Sequence, residues 1–359
     1  MPLAIATDMS AVASSPSDPS SKPFVVRPGV VVDPTAGRLY MMNPQGGIDA
    51  VEIASGKLLW STTAAAKPLI TFDGKLLAQG EATRGSHDLP IVALDARDGS
   101  RHGTVGLPMP AGVMPTVGDS FGTASSLTAT IVGGEAIVGW DFSQAIPSGV
   151  WPPQQPTRRA SGAFSLGLKS LAVAQLSSEQ AAAKIASSRP AAVAASSLLG
   201  AQGLYIRPER ADQFFVGVQI AQAKLGLSAV LKRWNAASGA ALPDISLGSS
   251  YAASAVSADG ANFLAVTNTG GTPPRYLWSI YAIFSGQQVA QLPLSAWAPP
   301  FSLWHSILVF ESMPFARPVN GVLLQEPLAL HGLDLGSSRE IWKRALRDTT
   351  YRGPRPPQP

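Results

Sequence analysis

The chain has 359 residues, 27 Lys and Arg against 23 Asp and Glu, a formal charge of +4, and charged residues at only 14%. Hydrophobic residues at 45% supply a core and exclude wholesale disorder, and the absence of cysteine excludes disulfides, thiolate zinc sites, thiol nucleophiles and a lipid-anchoring cysteine. So small a basic surplus does not make a nucleic-acid clamp, and no apolar run approaches the roughly 18–20 residues of a spanning helix.

Residues 1–23 are rich in Ser, Ala, Pro and Asp and read as a flexible leader. They lack the basic start and apolar stretch of a secretory signal, which leaves two readings open: a cytoplasmic protein, or a tether whose signal lies upstream of Met1. From residue 24 onward one phrase recurs: an apolar alternating run, an acidic or amide residue, a small Ser/Gly turn, and another short apolar run. It stands at Ile48–Trp60 (IDAVEIASGKLLW), Ile91–Gly99 (IVALDARDG), Ala229–Gly239 (AVLKRWNAASG), Trp278–Val289 (WSIYAIFSGQQV) and Leu330–Trp342 (LHGLDLGSSREIW), with a fainter copy at Ala163–Val173. In the first and last copies the acid leads the Trp by eight positions, Glu52 to Trp60 and Asp334 to Trp342.

Period-two alternation gives half-buried strands, and a Ser-Gly or Asp-Gly link supplies the positive φ of a tight turn. Most phrases follow a second hairpin signal, at Asp73-Gly74, Gly133-Gly134 and Asp259-Gly260, so each unit holds four strands. Uninterrupted units repeat every roughly 43–50 residues, the spacing of radially stacked blades, because one four-stranded sheet cannot bury both faces alone. The fold expected is all-β: a β-propeller of four-stranded antiparallel blades over residues 24–350, six to eight in number, with six recognisable and seven plausible. Between units, Ser177-x-x-Gln180 has capping-box spacing ahead of helix formers, and predicts a short helix over the rim. Residues 351–359 form a proline-rich tail.

Phrases such as VEIASGKLLW and GLDLGSSREIWKR resemble the outer hairpins of pyrroloquinoline-quinone-type (PQQ-like) repeat propellers. That group includes quinoprotein dehydrogenases and non-catalytic members such as the propeller lipoprotein of the outer-membrane barrel-assembly machinery. The resemblance implies a quinone clamped in the central funnel of an enzyme, with calcium, an Asp base and often a vicinal Cys pair beside it. This chain has no Cys and is short for an eight-bladed dehydrogenase, and no family catalytic residue maps onto it. Its placed acids, Glu52, Asp95 and Asp334, belong to repeat turns, where bonding to backbone N–H is their ordinary role. The resemblance therefore implies the non-catalytic branch, with no cofactor assigned, no metal site, and the cell envelope favoured over the cytoplasm. The alternative is a quinoprotein oxidoreductase or small-ligand binder using the funnel.

In an up-down blade the second-to-third strand links and the blade-to-blade connections emerge on one face. All the insertions fall there: 80–88, 143–159, 268–275 and 312–327, together with the connections 107–122 and 176–200. Long loops on a rigid scaffold are where recognition usually resides. The candidate partner-binding residues are Arg84, His87, Trp151, Arg158, Arg159, Arg275, Phe315 and Arg317, since aromatic and Arg side chains anchor interfaces. The expected partner is another protein, engaged through this face and the tails, with no nucleic acid involved.

Catalytic signals are weak. Gly118–Gly122 (GDSFG) matches the spacing of a nucleophile elbow, but the next residues, Thr123–Val132, read as a turn and then a strand, where the elbow needs a helix. His305 and His331 both sit in strand patterns, and His331 reads as a satisfied structural residue. No His pair has zinc spacing, and Asp95–Gly99 lacks the ligand register of a calcium loop.

Overall fold

The recurrent turn is built by backbone chirality. Gly56, Gly99, Gly239 and Gly286 all lie at positive φ, between 68° and 75°, and each closes a bond back to the carbonyl four residues earlier, as Gly56 N–H does to Glu52 at 2.8 Å. Leu171 and Ser338, both at φ 56°, hold the same position in the other two copies.

A computed structural model describes residues 23–347, except 82–85, 116, 118–122, 146–156, 189–213, 224–225, 237, 272–274, 295–299 and 320–321. The expected leader and tail lie outside the described residues but for Pro23, as do Arg84, Trp151 and the Gly118–Gly122 motif. The first sheet runs β1 (Phe24–Arg27), β2 (Val30–Asp33), β3 (Arg38–Met42), β4 (Ile48–Glu52), β5 (Leu58–Thr62). The second runs β6 (Lys67–Phe72), β7 (Lys75–Gln79), β8 (Asp88–Asp95), β9 (Arg101–Pro108). The third holds β10 (Thr123–Val132), β11 (Glu135–Ala145), β12 (Thr157–Gly167) and β13 (Val173–Leu176), followed by helix α1 (Ser178–Ser187). Three strands of the fourth are described: β14 (Phe214–Ala223), β15 (Gly226–Asn235), β16 (Ala241–Gly248). The fifth has β17 (Tyr251–Val256), β18 (Asn262–Gly270), β19 (Arg275–Ala282), β20 (Gln288–Leu294). The sixth opens with β21 (Phe301–Trp304) and β22 (Ile307–Ser312). A separate hairpin of β23 (Phe315–Val319) and β24 (Val322–Glu326) comes next, then β25 (Ala329–Asp334) and β26 (Arg339–Ala345) complete the sheet. Every pairing is antiparallel between chain neighbours, apart from β22 with β25 across the inserted hairpin.

The sheets are the blades of a β-propeller, packed face to face at five seams, while the far face of the third sheet carries α1 and, among the described residues, no apolar cluster joins it to the fourth. Tyr40, Ala50 and Trp60 meet Leu76, Val92 and Leu94 between the first two blades, and Leu77 and Ile91 meet Val138, Trp140 and Phe164 between the next two. Val218 and Leu231 pack with Phe263 between the fourth and fifth, and Trp278 and Ile280 with Phe310 and Leu333 between the fifth and sixth. Val32, Leu39 and Ile53 pack with Val309, Leu330 and Trp342, joining the last blade to the first.

The space over the next blade's turn is filled in more than one way. Trp342 covers Gly56 and Trp60 covers Gly99, where an added Cβ would lie 2.3 and 2.7 Å from the Trp side chain. In the second blade Gly103 stands where Trp60 stands in the first, and the Leu171 side chain fills the vacated room, 2.6 Å from where a Cβ on Gly103 would be. In the fourth, buried Arg233 reaches over Gly286 and donates to the Ile283 carbonyl at 2.6 Å. Trp is therefore one of three solutions to a single packing problem.

Four expectations are corrected. The first blade has five strands, because β1 adds to the inner edge of β2 with a bulge at Val25/Arg27. The insertion 312–327 folds into β23 and β24. The capping box at Ser177 is present, with Ser177 Oγ accepting from Gln180 N–H at 3.1 Å. Its helix, however, lies flat on the third sheet, Ala181 and Ile185 against Ile137, Ala163 and Leu176, instead of over the rim. His305 sits in the β21–β22 turn at φ 50° and not in a strand.

Candidate functional site

Because strands alternate in direction, the second-to-third links and the blade connections share one face. On the third blade, β11 and β12 pair over their full lengths, from Glu135↔Gly167 to Ala145↔Thr157. The β14–β15 hairpin pairs from Phe214↔Asn235 to Ala223↔Gly226, and β18–β19 reaches Gly270↔Arg275. With β23–β24 these form a row of long hairpins from the third blade to the sixth. The first blade closes the same link through Asn43–Gly47. The opposite face carries the tight turns. β1 runs from that face toward the hairpin face, while β26 ends on the hairpin face, where Arg347 N–H donates to Met42 and its guanidinium to Glu81 at 2.8 Å.

Part of the expected set is brought together. Exposed His87 and exposed Arg158 flank one connection: Met109 N–H donates to the His87 carbonyl at 2.9 Å, and Arg158 Nη2 donates to the Ala111 carbonyl at 3.0 Å. Arg159, its chain neighbour, is also exposed but points to the other face of the hairpin, where Ser126, Asp141, Ser143 and Ser161 line an open concavity of about 510 Å³. Arg275 is exposed at the start of β19, on a different blade. Phe315 and Arg317 lie on β23.

The axis is lined by first strands, β6 lying beside β2 and β10. Here β1 intrudes. Phe24 and Val26 are buried against the sixth blade, and Arg27 Nη1 meets Glu311 Oε2 at 2.7 Å, with Glu311 only 4% exposed. The strand thus sits at the inner end of the seam between the sixth blade and the first. Among the described residues no cluster of three His, Asp or Glu side chains converges to hold a metal.

His331 forms a relay that the sequence reading placed only as a satisfied side chain. Its Nδ1 lies 2.5 Å from Glu340 Oε2 and its Nε2 2.7 Å from Ser312 Oγ, with the ring stacked on Phe310. A carboxylate only accepts, so Nδ1 carries the proton, and in the neutral ring Ser312 O–H then donates to Nε2, the connectivity of an activated hydroxyl. The register argues for structure instead. Counted from the recurrent turn, the same position holds Asp49 bonded to Ser61, Lys232 paired with Asp244, and Ser279 bonded to Gln291. The relay shares that polar position but not the partner, since Lys343 stands opposite His331 and Glu340 stands opposite Leu333.

Turn electrostatics obey the same logic. Hydrogen bonds from the Arg97 side chain and backbone N–H hold the Asp95 carboxyl down to about 2, and Lys184 with Ser165 lowers Glu135, fastening α1 to β11 and β12.

No family model matches the sequence, and no curated protein matches it. Among solved structures, the quinohemoprotein alcohol dehydrogenase ADHIIG from Pseudomonas putida HK5 is 12% identical, with a TM-score of 0.28 over 77% of this chain and 61% of that one. The β-propeller domain of the Trilobed protease from Pyrococcus furiosus is 10% identical, with a TM-score of 0.28 over 61% and 58%. The AtxE2 isopeptidase is 8% identical, with a TM-score of 0.39 over 94% and 51%. The chain thus spans less than two thirds of each of these structures. Superpositions this loose carry no functional argument, and the fold rests on the sheets themselves.

Proposed function

We propose that the protein is a non-catalytic propeller of the PQQ-like type, which presents its long-hairpin face to a protein partner within an envelope-associated assembly. The observation that carries this reading is the asymmetry of the two faces. Long hairpins gather on the third to sixth blades on one side, and tight glycine turns close the other. Such hairpins present side chains at fixed spacing, and a rigid scaffold lowers the ordering cost of binding. The exposed Arg158, Arg159, Arg275 and His87 favour an acidic surface. The described chain enters along the axis from the turn face, so a leader acting as a tether would leave the hairpin face pointing away from its anchor.

The test is affinity purification of the tagged chain from its source organism in mild detergent, with mass spectrometry of what accompanies it. A stoichiometric protein lost on shortening 143–159 supports the platform. A chain that purifies alone, or that carries bound quinone, overturns it.

A further inference from the structure

The third blade differs from the others at its outer edge. In the second blade β8 is covered by β9 from Asp88↔Pro108 to Leu94↔Arg101, and in the sixth β25 is covered from Ala329↔Ala345 to Asp334↔Arg339. By contrast β13 pairs with β12 only at Ala163↔Leu176, Phe164↔Gln175, Ser165↔Ala174 and Leu166↔Val173. The cause is local: Ser177 begins the α1 capping box directly after Leu176, and the helix turns back onto the sheet. Residues Thr157–Gly162 are therefore paired to β11 on one side, and among the described residues no strand pairs with them on the other.

The direction of the free groups is set by the hairpin below. Gly167 N–H bonds toward β13, to the Ala172 carbonyl, and Leu168 N–H bonds toward β11, to the Gly134 carbonyl. Alternation then places the N–H and C=O of Thr157, Arg159 and Ser161 outward. A second observation marks the lower end of this edge. Trp140 is 5% exposed, and among the described residues its buried indole N–H has no hydrogen-bond partner. It lies against Gly162, with Nε1 3.0 Å from where a Cβ would stand. A buried donor left without an acceptor is costly, and the indole itself occupies the space that a side chain at Gly162 would fill, which holds this donor against the edge strand.

We propose that Thr157–Gly162 is a strand-addition site, which takes an extended segment of a partner protein with acidic residues at alternate positions. This rests on the platform reading and names its contact. Backbone pairing to Thr157, Arg159 and Ser161 supplies affinity, while Arg158 and Arg159, one on each face of the ladder, select acidic side chains. Pairing with a second copy would instead crowd both copies' Arg158 and Arg159 onto one short ladder. Asp141, across from Ser161 on the Arg159 face, makes the Arg158 face the more favourable for acids.

The experiment uses the full chain and two acetylated eight-residue peptides, an Asp-Val repeat and a Lys-Val repeat, with amide hydrogen exchange and fluorescence anisotropy as readouts. The amides of Arg159 and Ser161 are expected to exchange fast in the free chain and to be protected by the Asp-Val peptide alone. Ser161→Pro removes one outward donor while sparing the β11 ladder, and should weaken binding about tenfold at unchanged thermal stability. The double charge reversal Arg158→Glu, Arg159→Glu should switch preference to the Lys-Val peptide. Equal binding of both peptides, protection elsewhere, slow exchange in the free monomer, or pairing between two copies in sedimentation would each overturn the proposal. A native partner that survives Ser161→Pro but is lost on shortening 143–159 would leave the platform standing and remove strand addition.

Discussion

Trp342 donates its indole N–H to the Ile53 carbonyl at 2.7 Å, although 289 residues separate them. Trp60 repeats the contact one blade on, donating to Ala96 at 3.2 Å. The eight-residue spacing from acid to Trp therefore encodes a clasp between blades and not a feature within one. Trp342→Phe keeps most of the packing but leaves the Ile53 carbonyl buried without its donor, a cost of about 1–3 kcal/mol. Trp342→Ala adds a cavity at the first–last seam and should cost about 3–5 kcal/mol. Chemical denaturation measures both, and equal midpoints for the Ala variant and the parent would show that this seam does not govern stability.

At the second–third seam, Gly103 and Leu171 exchange the large and small partners found at Trp60 and Gly99. Gly103→Trp alone overpacks by about 1–3 kcal/mol, and Leu171→Gly alone opens a gap, partly offset by relief of its positive φ. Combined, they restore the Trp-over-Gly pair, so the double variant should be more stable than the sum predicts by about 0.5–3 kcal/mol. Strict additivity in a double-mutant cycle would refute the equivalence.

The inner strand β1 is held by Arg27 and Glu311, the latter buried in the sixth blade. Glu311→Ala strands the Arg27 cation and should cost about 3–5 kcal/mol, whereas Arg27→Met with Glu311→Leu should be much closer to the parent. Deletion through residue 22 should leave cooperative unfolding intact, while deletion through Arg27 should broaden it. A sharp transition in the longer deletion would make β1 dispensable.

Asp95 gives a pH signature. Its carboxyl lies at about 2 in the folded chain because the Arg97 side chain and amide bond the ionised form. The unfolded chain holds this proton more tightly, near about 3.9. The stabilisation is thus complete above that value and is lost as pH falls toward 2. Asp95→Asn should be less stable than the parent at neutral pH, with the gap closing in acid. A gap independent of pH would point to lost turn geometry alone.

Much of the architecture was legible in the residues. Period-two alternation and recurrent Gly turns are local signals, so the outer hairpins at Glu52–Lys57, Asp95–Ser100 and Ala282–Gln287 stand where the phrases do. The Ser177 cap was legible too, because a capping box is complete within four residues. The candidate face was legible as a place but not as a surface. Alternation puts Arg158 and Arg159 on opposite sides of β12, and only the fold brings His87 beside the connection that Arg158 holds.

By itself, the sequence determined an all-β chain of repeated hairpins, their turns and the face that receives the insertions, since each arises from backbone preference and burial over a few residues. Only the tertiary structure decided that β1 lies at the inner edge of the first blade, that Leu171 and Arg233 do what Trp does elsewhere, and that β13 ends after pairing with only four residues of β12. Those outcomes depend on which side chains meet across blades tens to hundreds of residues apart, and periodicity along one strand carries no information about what packs against it.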